Sequence, residues 1–228
     1  VNAKSMVLFG LPKSGKTTIL STLPNCLIID TEDGSDFIDG IKKKVPAHLG
    51  PVGKMKWLRD IAKKIKDAGN PYDYVAIDTI SEIDGWSEWC GTFLYMNSLQ
   101  GMSFNRKDGI KGGELLPYGH PDYESVHNLP NGQGYRFSRQ EMMDTFDALQ
   151  GLGKVCTIFI AHVADKAIVS KLTNQEVVTR DISLTGKCRD LVARKADALG
   201  YVYNNQGKLM VSFKGEDSKI GGIRARHL

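Results

Sequence analysis

The stretch that most constrains this chain is residues 6–23. Met6-Val7-Leu8-Phe9 is a short apolar run, Gly10-Leu11-Pro12-Lys13-Ser14-Gly15-Lys16-Thr17-Thr18 follows it, and Ile19-Leu20-Ser21-Thr22-Leu23 closes it. An apolar strand, a glycine-bounded loop and a helix start give the G-x-x-x-x-G-K-[ST] spacing its mechanism. Gly10 and Gly15 let the backbone turn where a side chain would block it. The loop N–H groups and the helix N-terminus then face one point and form an anion nest. Lys16 adds a charge for β- and γ-phosphates, and Thr17 offers a hydroxyl to Mg²⁺. Gly10, Leu11, Pro12, Lys13, Ser14, Gly15, Lys16, Thr17 and Thr18 are therefore the candidate nucleotide-binding residues.

Two more strand-like runs end in acids. Cys26-Leu27-Ile28-Ile29 is continuously apolar, as in a strand buried on both faces of a parallel sheet, and leads into Asp30-Thr31-Glu32-Asp33-Gly34. Ligands of open α/β sheets collect at the carboxyl ends of strands, which puts Glu32 where it could polarise an attacking water. A solvated acidic turn is the plainer alternative. Tyr74-Val75-Ala76-Ile77 ends in Asp78, the expected second half of a nucleoside-triphosphate site, holding Mg²⁺ with Thr17. Thr79 and Ser81 are placed to cap the helix that follows. A third buried run, Val155 to Ile160, leads to Ala161-His162, and His162 is either a γ-phosphate contact or a structural histidine.

Between these runs, apolar spacing predicts helices over residues 55–68, 81–99 and 135–152. The three lysines at 42–44 read as a solvated face within a mixed connection, residues 35–54. Residues 101–134 are rich in glycine, proline, tyrosine and basic side chains, a turn-rich insertion of functional or disordered character. Residues 165–183 and 200–213 read as hairpins, 187–196 as a short basic helix, and 215–228 as a flexible basic tail.

The 228 residues suffice for one α/β domain, and the formal net charge of +4 permits a nucleic-acid partner without requiring one. The 4 cysteines are scattered without a C-x-x-C pair and read as buried thiols in a reducing compartment. No apolar run reaches membrane-spanning length and no signal-like segment stands at the start, so the expectation is a cytoplasmic protein without a membrane partner.

In this order, the phosphate loop, Ile29-Asp30-Thr31-Glu32, Ile77-Asp78 and Phe159-Ile160-Ala161-His162 resemble the RecA/Rad51 core. More closely, the chain is similar to phage-encoded RecA-like ATPases of the Sak-type single-strand annealing group, also described as phage nucleotide-binding proteins. The resemblance spans roughly residues 6–213. It implies a single RecA-like P-loop NTPase domain over residues 1–228, with a mostly parallel sheet flanked by helices and carboxyl-terminal β-hairpins. It further implies ATP and Mg²⁺ as cofactors, slow hydrolysis with Glu32 activating water, and Lys16 and His162 as further catalytic residues. The implied setting is a phage protein acting in the bacterial host's cytoplasm, binding single-stranded DNA and promoting annealing or recombination. The implied DNA loops are residues 101–134 and 165–180, making Lys107, Lys111, Lys166, Lys171 and Arg180 phosphate contacts and Tyr118 and Tyr123 stacking platforms. By the same analogy the protein self-associates into a ring or filament, Lys187 or Arg189 acts in trans on a neighbour, and a single-strand-binding protein is a partner. His162 stands where RecA has an amide. Two other functions share the loop: a nucleotide switch that binds a replication or recombination protein, and a small-molecule kinase.

Overall fold

The computed structural model describes residues 3–100, 125–129, 132, 134–169, 176–215 and 221–223, with only the backbone at 166–169, 176–178 and 223. Lys107, Lys111, Tyr118, Tyr123 and Lys171 lie outside the described residues, as does most of the 101–134 segment.

The continuous apolar runs become strands of one mixed sheet. These are β1 (Ser5–Gly10), β2 (Cys26–Asp30), β3 (Ile41–Lys44), β4 (Tyr74–Asp78), β5 (Cys156–Val169), β6 (Glu176–Ile182), β7 (Ala198–Asn205), β8 (Lys208–Ser212) and β9 (Gly222–Ile223). The order across the sheet is β3-β2-β4-β5-β1-β7-β8. The pairs from β3 through to β7 are parallel, while β5 with β6, β7 with β8 and β7 with β9 are antiparallel. β5 thus lies between the strand that feeds the phosphate loop and the strand that ends in Asp78.

Strand side chains alternate between faces, and here both faces are covered. Val7, Phe9, Leu27, Ile29, Val75, Ile77 and Phe159 point into the larger core. Helices α2 (Pro51–Asp67), α3 (Ile80–Met96), α4 (Tyr135–Leu149) and α5 (Cys188–Lys195) pack on it. Leu8, Ile28, Ala76, Ile158 and Ile160 point the other way and meet Leu20 of α1 (Lys16–Ser21). This two-sided burial removes the polar alternation a one-sided strand would show.

Several boundaries differ from the sequence reading, each for a local reason. α2 begins at Pro51, whose fixed φ suits the first turn of a helix. The lysine run forms β3, which takes one edge of the sheet by pairing Ile41–Lys44 with Leu27–Asp30. Residues 222–223 pair as β9 with Ala198 and Leu199. β8 covers only Tyr201–Asn205 of β7, so β9 covers the stretch of edge that β8 leaves. Both predicted hairpins are present, β5–β6 and β7–β8.

All four cysteines are buried and free. Burial pushes the Cys26 thiol up to about 11, and those of Cys90, Cys156 and Cys188 up to about 12. Among the described residues, no helix is long and apolar enough to cross a membrane, and no His/Cys/Asp/Glu cluster of three could hold a metal ion.

Candidate active site

The phosphate loop leaves β1 at Gly10 and enters α1 at Lys16. Gly15 holds φ at 91°, a left-handed conformation that side chains disfavour. Gly10 needs space rather than an unusual torsion, because a Cβ there would stand 2.5 Å from the Val202 carbonyl oxygen on β7. Lys13 also takes a positive φ, 60°, at the tip of the loop.

The Lys16 side chain folds back over the loop, and its Nζ donates to the Gly10 and Leu11 carbonyls at 2.9 Å each. Burial lowers its pKa, against the attraction of Asp78 and Glu32. The Thr17 hydroxyl stands near the Asp78 carboxylate and favours its charged form. Asp78 is buried at the end of β4, and burial is the main cause that raises its carboxyl to about 6. The Thr17 hydroxyl and Lys16 pull it down, while the Glu32 and Asp30 charges push it further up.

Glu32 is held from two sides by one of its oxygens. Thr79 Oγ1 donates to Glu32 Oε1 at 2.6 Å, and His162 Nε2 meets the same oxygen at 2.5 Å. An ionised carboxylate only accepts, so His162 carries its proton on Nε2 and donates. Among the described residues, Oε2 carries no hydrogen bond and is left for a further donor. Thr79 stands at the N-cap position of α3, but its hydroxyl serves Glu32 rather than the helix. The Asp78–Thr79 peptide is cis. Thr31 braces it, donating from Oγ1 to the Thr79 carbonyl at 2.9 Å and accepting from the Thr79 amide at 2.6 Å.

Asp30 shapes the turn that presents Glu32. Its carboxylate accepts from the Glu32 and Ser35 amides at 3.1 and 3.0 Å and from the Ser35 hydroxyl at 2.5 Å. Burial would raise the Asp30 carboxyl, but the hydrogen bonds from Ser35, Glu32 and Gly34 outweigh it and hold the group below its ordinary value. Ser81 does not cap α3 either. It accepts from the His162 amide at 3.0 Å and donates to the Ser183 carbonyl at 3.3 Å.

These side chains surround one cavity of about 400 Å³, lined by Pro12, Lys13, Gly15, Lys16, Thr17, Thr18, Glu32, Gly34, Asp78, Thr79 and His162. Leu11 and Ser14 face a neighbouring recess of about 520 Å³ with Pro12, Arg180 and residues 201–204. On the far side of Glu32 and His162 lies a third space of about 720 Å³, where Lys54 and Glu82 join Asp30 and Lys44. Lys54 stacks over the Trp86 ring at 4.7 Å.

Arg180 lies outside the cavity, donating from Nη1 to the Tyr201 hydroxyl at 3.1 Å. Arg189 is tied within its own chain, 3.0 Å from Asp181 and 3.0 Å from Asp190. Neither Lys187 nor Arg189 lines the cavity.

The donor set fits a magnesium–triphosphate. Thr17 and Asp78 are hard oxygen donors, and a carboxylate this costly to ionise gains from a cation beside it. Ser14 Oγ is buried without a hydrogen-bond partner in the loop itself. Sequence reasoning reached Lys16, Thr17, Glu32, Asp78 and His162 but missed Thr79, Thr31, Ser81 and Asp30 as positioning residues. Only Asp30 left a signal, an Asp ending a strand ahead of a turn, where its carboxylate accepts from the amide two residues on, that of Glu32, as in an Asx turn.

The strand order and the loop together define a P-loop α/β core, a mostly parallel sheet flanked by helices. Residues 2–106, which hold the phosphate loop, Glu32 and Asp78, match the family model described as AAA domain (AAA_24). Among solved structures, the chain is similar to a prototypical ATPase from the type III secretion system of pathogenic bacteria, at 11% identity and a TM-score of 0.45. That match covers 88% of this chain and 51% of the ATPase, so the chain spans about half that protein's length. No curated protein matches the sequence.

Proposed function

We propose that this chain binds Mg-ATP and hydrolyses it slowly, and couples the nucleotide state to single-stranded DNA held at the β5–β6 hairpin. The observation that carries the first half is Glu32, fixed through Oε1 by Thr79 and His162 beside Lys16 and Asp78, with Oε2 left to orient a water. Magnesium held by Thr17 and Asp78 would supply charge neutralisation on the phosphates. Loop amides and Lys16 bind the β- and γ-phosphates. Water attacks the γ-phosphorus and gives its proton to Glu32, while the bond to the bridging oxygen breaks with its electron pair going to ADP.

What supports the second half is the path of β5. One strand of 14 residues carries His162 and continues into the hairpin, where Lys166 stands in register with Thr179 and Asp165 with Arg180. The far strand returns to the site through Ser183, whose amide donates to the His162 carbonyl at 2.9 Å. Lys107, Lys111, Tyr118, Tyr123, Lys166, Lys171 and Arg180 remain the proposed DNA contacts, and annealing the proposed outcome.

Two measurements test the reading. Glu32→Gln should lower single-turnover ATP hydrolysis by about 10² or more while nucleotide affinity stays within a few-fold. Unchanged turnover removes Glu32 from the chemistry. A single-strand gel shift across a salt series, with and without ATP, tests the DNA half. Absence of binding at low salt refutes it and favours a switch that binds a protein.

A further inference from the structure

Two spaces share one wall. Glu32 and His162 line both the nucleotide cavity of about 400 Å³ and the third space of about 720 Å³. The phosphate loop leaves β1, while Glu32, Asp78 and His162 come from β2, β4 and β5, all on the same side of β1 in the sheet. In phosphoryl transfer the attacking and leaving oxygens lie roughly in line across the phosphorus. With ADP held by the loop, the line out of the γ-phosphorus runs toward Glu32 and His162, and the third space lies behind them.

The third space has Val45, Pro46 and Ala47 as its apolar wall, and Lys54 and Glu82 reach it from the first turns of α2 and α3. Most of its other charges are already partnered. Asp30 accepts from the Glu32 and Ser35 amides and from the Ser35 hydroxyl. Lys44 is paired with Asp33 at 2.6 Å and with Asp36 at 2.5 Å. Lys54 is different. Among the described residues its ammonium rests on the face of Trp86 at 4.7 Å and feels the Glu82 charge, with no ion pair of its own. A ring face holds a cation less firmly than an anion does, so the ammonium can turn to an oxyanion that arrives. Burial and the Glu32 charge raise the Glu82 carboxyl, against Lys54 and His162. That favours its protonated form, which donates to an anion instead of repelling it.

We infer that the third space admits the attacking water and lets inorganic phosphate out while ADP stays in the phosphate loop, and that Lys54 holds the phosphate on its way. When phosphate leaves, Glu32 carries the proton taken from the water. The wall then presents a neutral acid to the departing anion rather than a carboxylate. Between His162 and Glu32 only one hydrogen bond has to part for the wall to open. The direction of travel rests on the hydrolysis proposed for Glu32; the phosphate site beside Lys54 does not.

The test is a titration of inorganic phosphate, at constant ionic strength, into the chain loaded with magnesium and a non-hydrolysable ATP analogue, followed by phosphorus NMR. With the γ-phosphate position filled, the wild type should still bind phosphate. Lys54→Ala should weaken that binding by about tenfold or more, as expected for one charge-assisted contact. Ala47→Trp, at an exposed position on the apolar wall, should keep the wild-type melting temperature and weaken phosphate binding likewise. In a single turnover of ATP, its free phosphate should lag further behind acid-quenched cleavage than in the wild type. Loaded wild type that takes up no phosphate, or Lys54→Ala that binds it equally well, overturns the site. Ala47→Trp with no added lag overturns the route. Absence of analogue binding or of cleavage would refute the hydrolysis reading instead, and the comparison of wild type with Lys54→Ala in phosphate binding would still decide the site.

Discussion

Asp78 lets a stability measurement report on the site without any ligand. Its carboxyl is raised from 3.8 to about 6, with burial the leading cause. One decade of displacement is worth about 1.4 kcal/mol, so ionised Asp78 costs the nucleotide-free fold on the order of 3 kcal/mol above pH 6. The folded chain binds this proton more tightly than the unfolded chain. The associated stability is therefore fully present below 3.8 and is lost as pH rises through about 6. Asp78→Asn keeps the shape but removes the charge. Lys16 then loses one of the two carboxylates that offset its own burial, which trims the expected gain to about 2 kcal/mol. In metal- and nucleotide-free buffer at pH 8, the variant should melt about 4–8 °C higher than wild type. The gap should close as pH falls toward 4.5. Adding Mg-ATP should reverse the order, since only the wild type is stabilised by binding. A variant no more stable than wild type at pH 8, or a gap that ignores pH, would show that the buried charge is not what the geometry says it is.

Lys16→Ala should weaken nucleotide binding by about tenfold to a hundredfold, the worth of a charge-assisted hydrogen bond, measured by titration calorimetry. Arg180→Ala should lower single-strand affinity without base preference and reduce the salt slope by about 1, measured by fluorescence anisotropy. Gly91→Ala should cost about 1–3 kcal/mol in denaturant unfolding, because its new Cβ would stand 2.5 Å from the Ser138 amide nitrogen where α3 crosses α4.

The strands that build the sheet's centre were legible because burial on both faces leaves uninterrupted apolar runs, as in Cys26–Asp30 and Tyr74–Asp78. The edge strand β3 was not, because its lysines alternate between half-buried and exposed and resemble a solvated face. Lys42 and Lys44 earn their burial only through partners in the preceding loop, which no periodicity encodes. The acids and His162 at strand ends were readable from position alone. The side chains that aim them were not, since Thr79 reaches Glu32 across 47 residues of sequence and Ser81 reaches His162 across 81. A threonine and a serine ahead of a helix look like caps, and only the folded sheet shows that their hydroxyls are spent elsewhere.

β5 is one unbroken strand from Cys156 to Val169, with His162 near its middle. Alternation along a strand has a period of two, so one residue added or removed between Cys156 and His162 would turn the imidazole to the opposite face. The same change near the hairpin tip would leave it where it is. Lineages of this protein are thus free to lengthen, shorten or retune the projecting arm, while the stem below the histidine must keep its count.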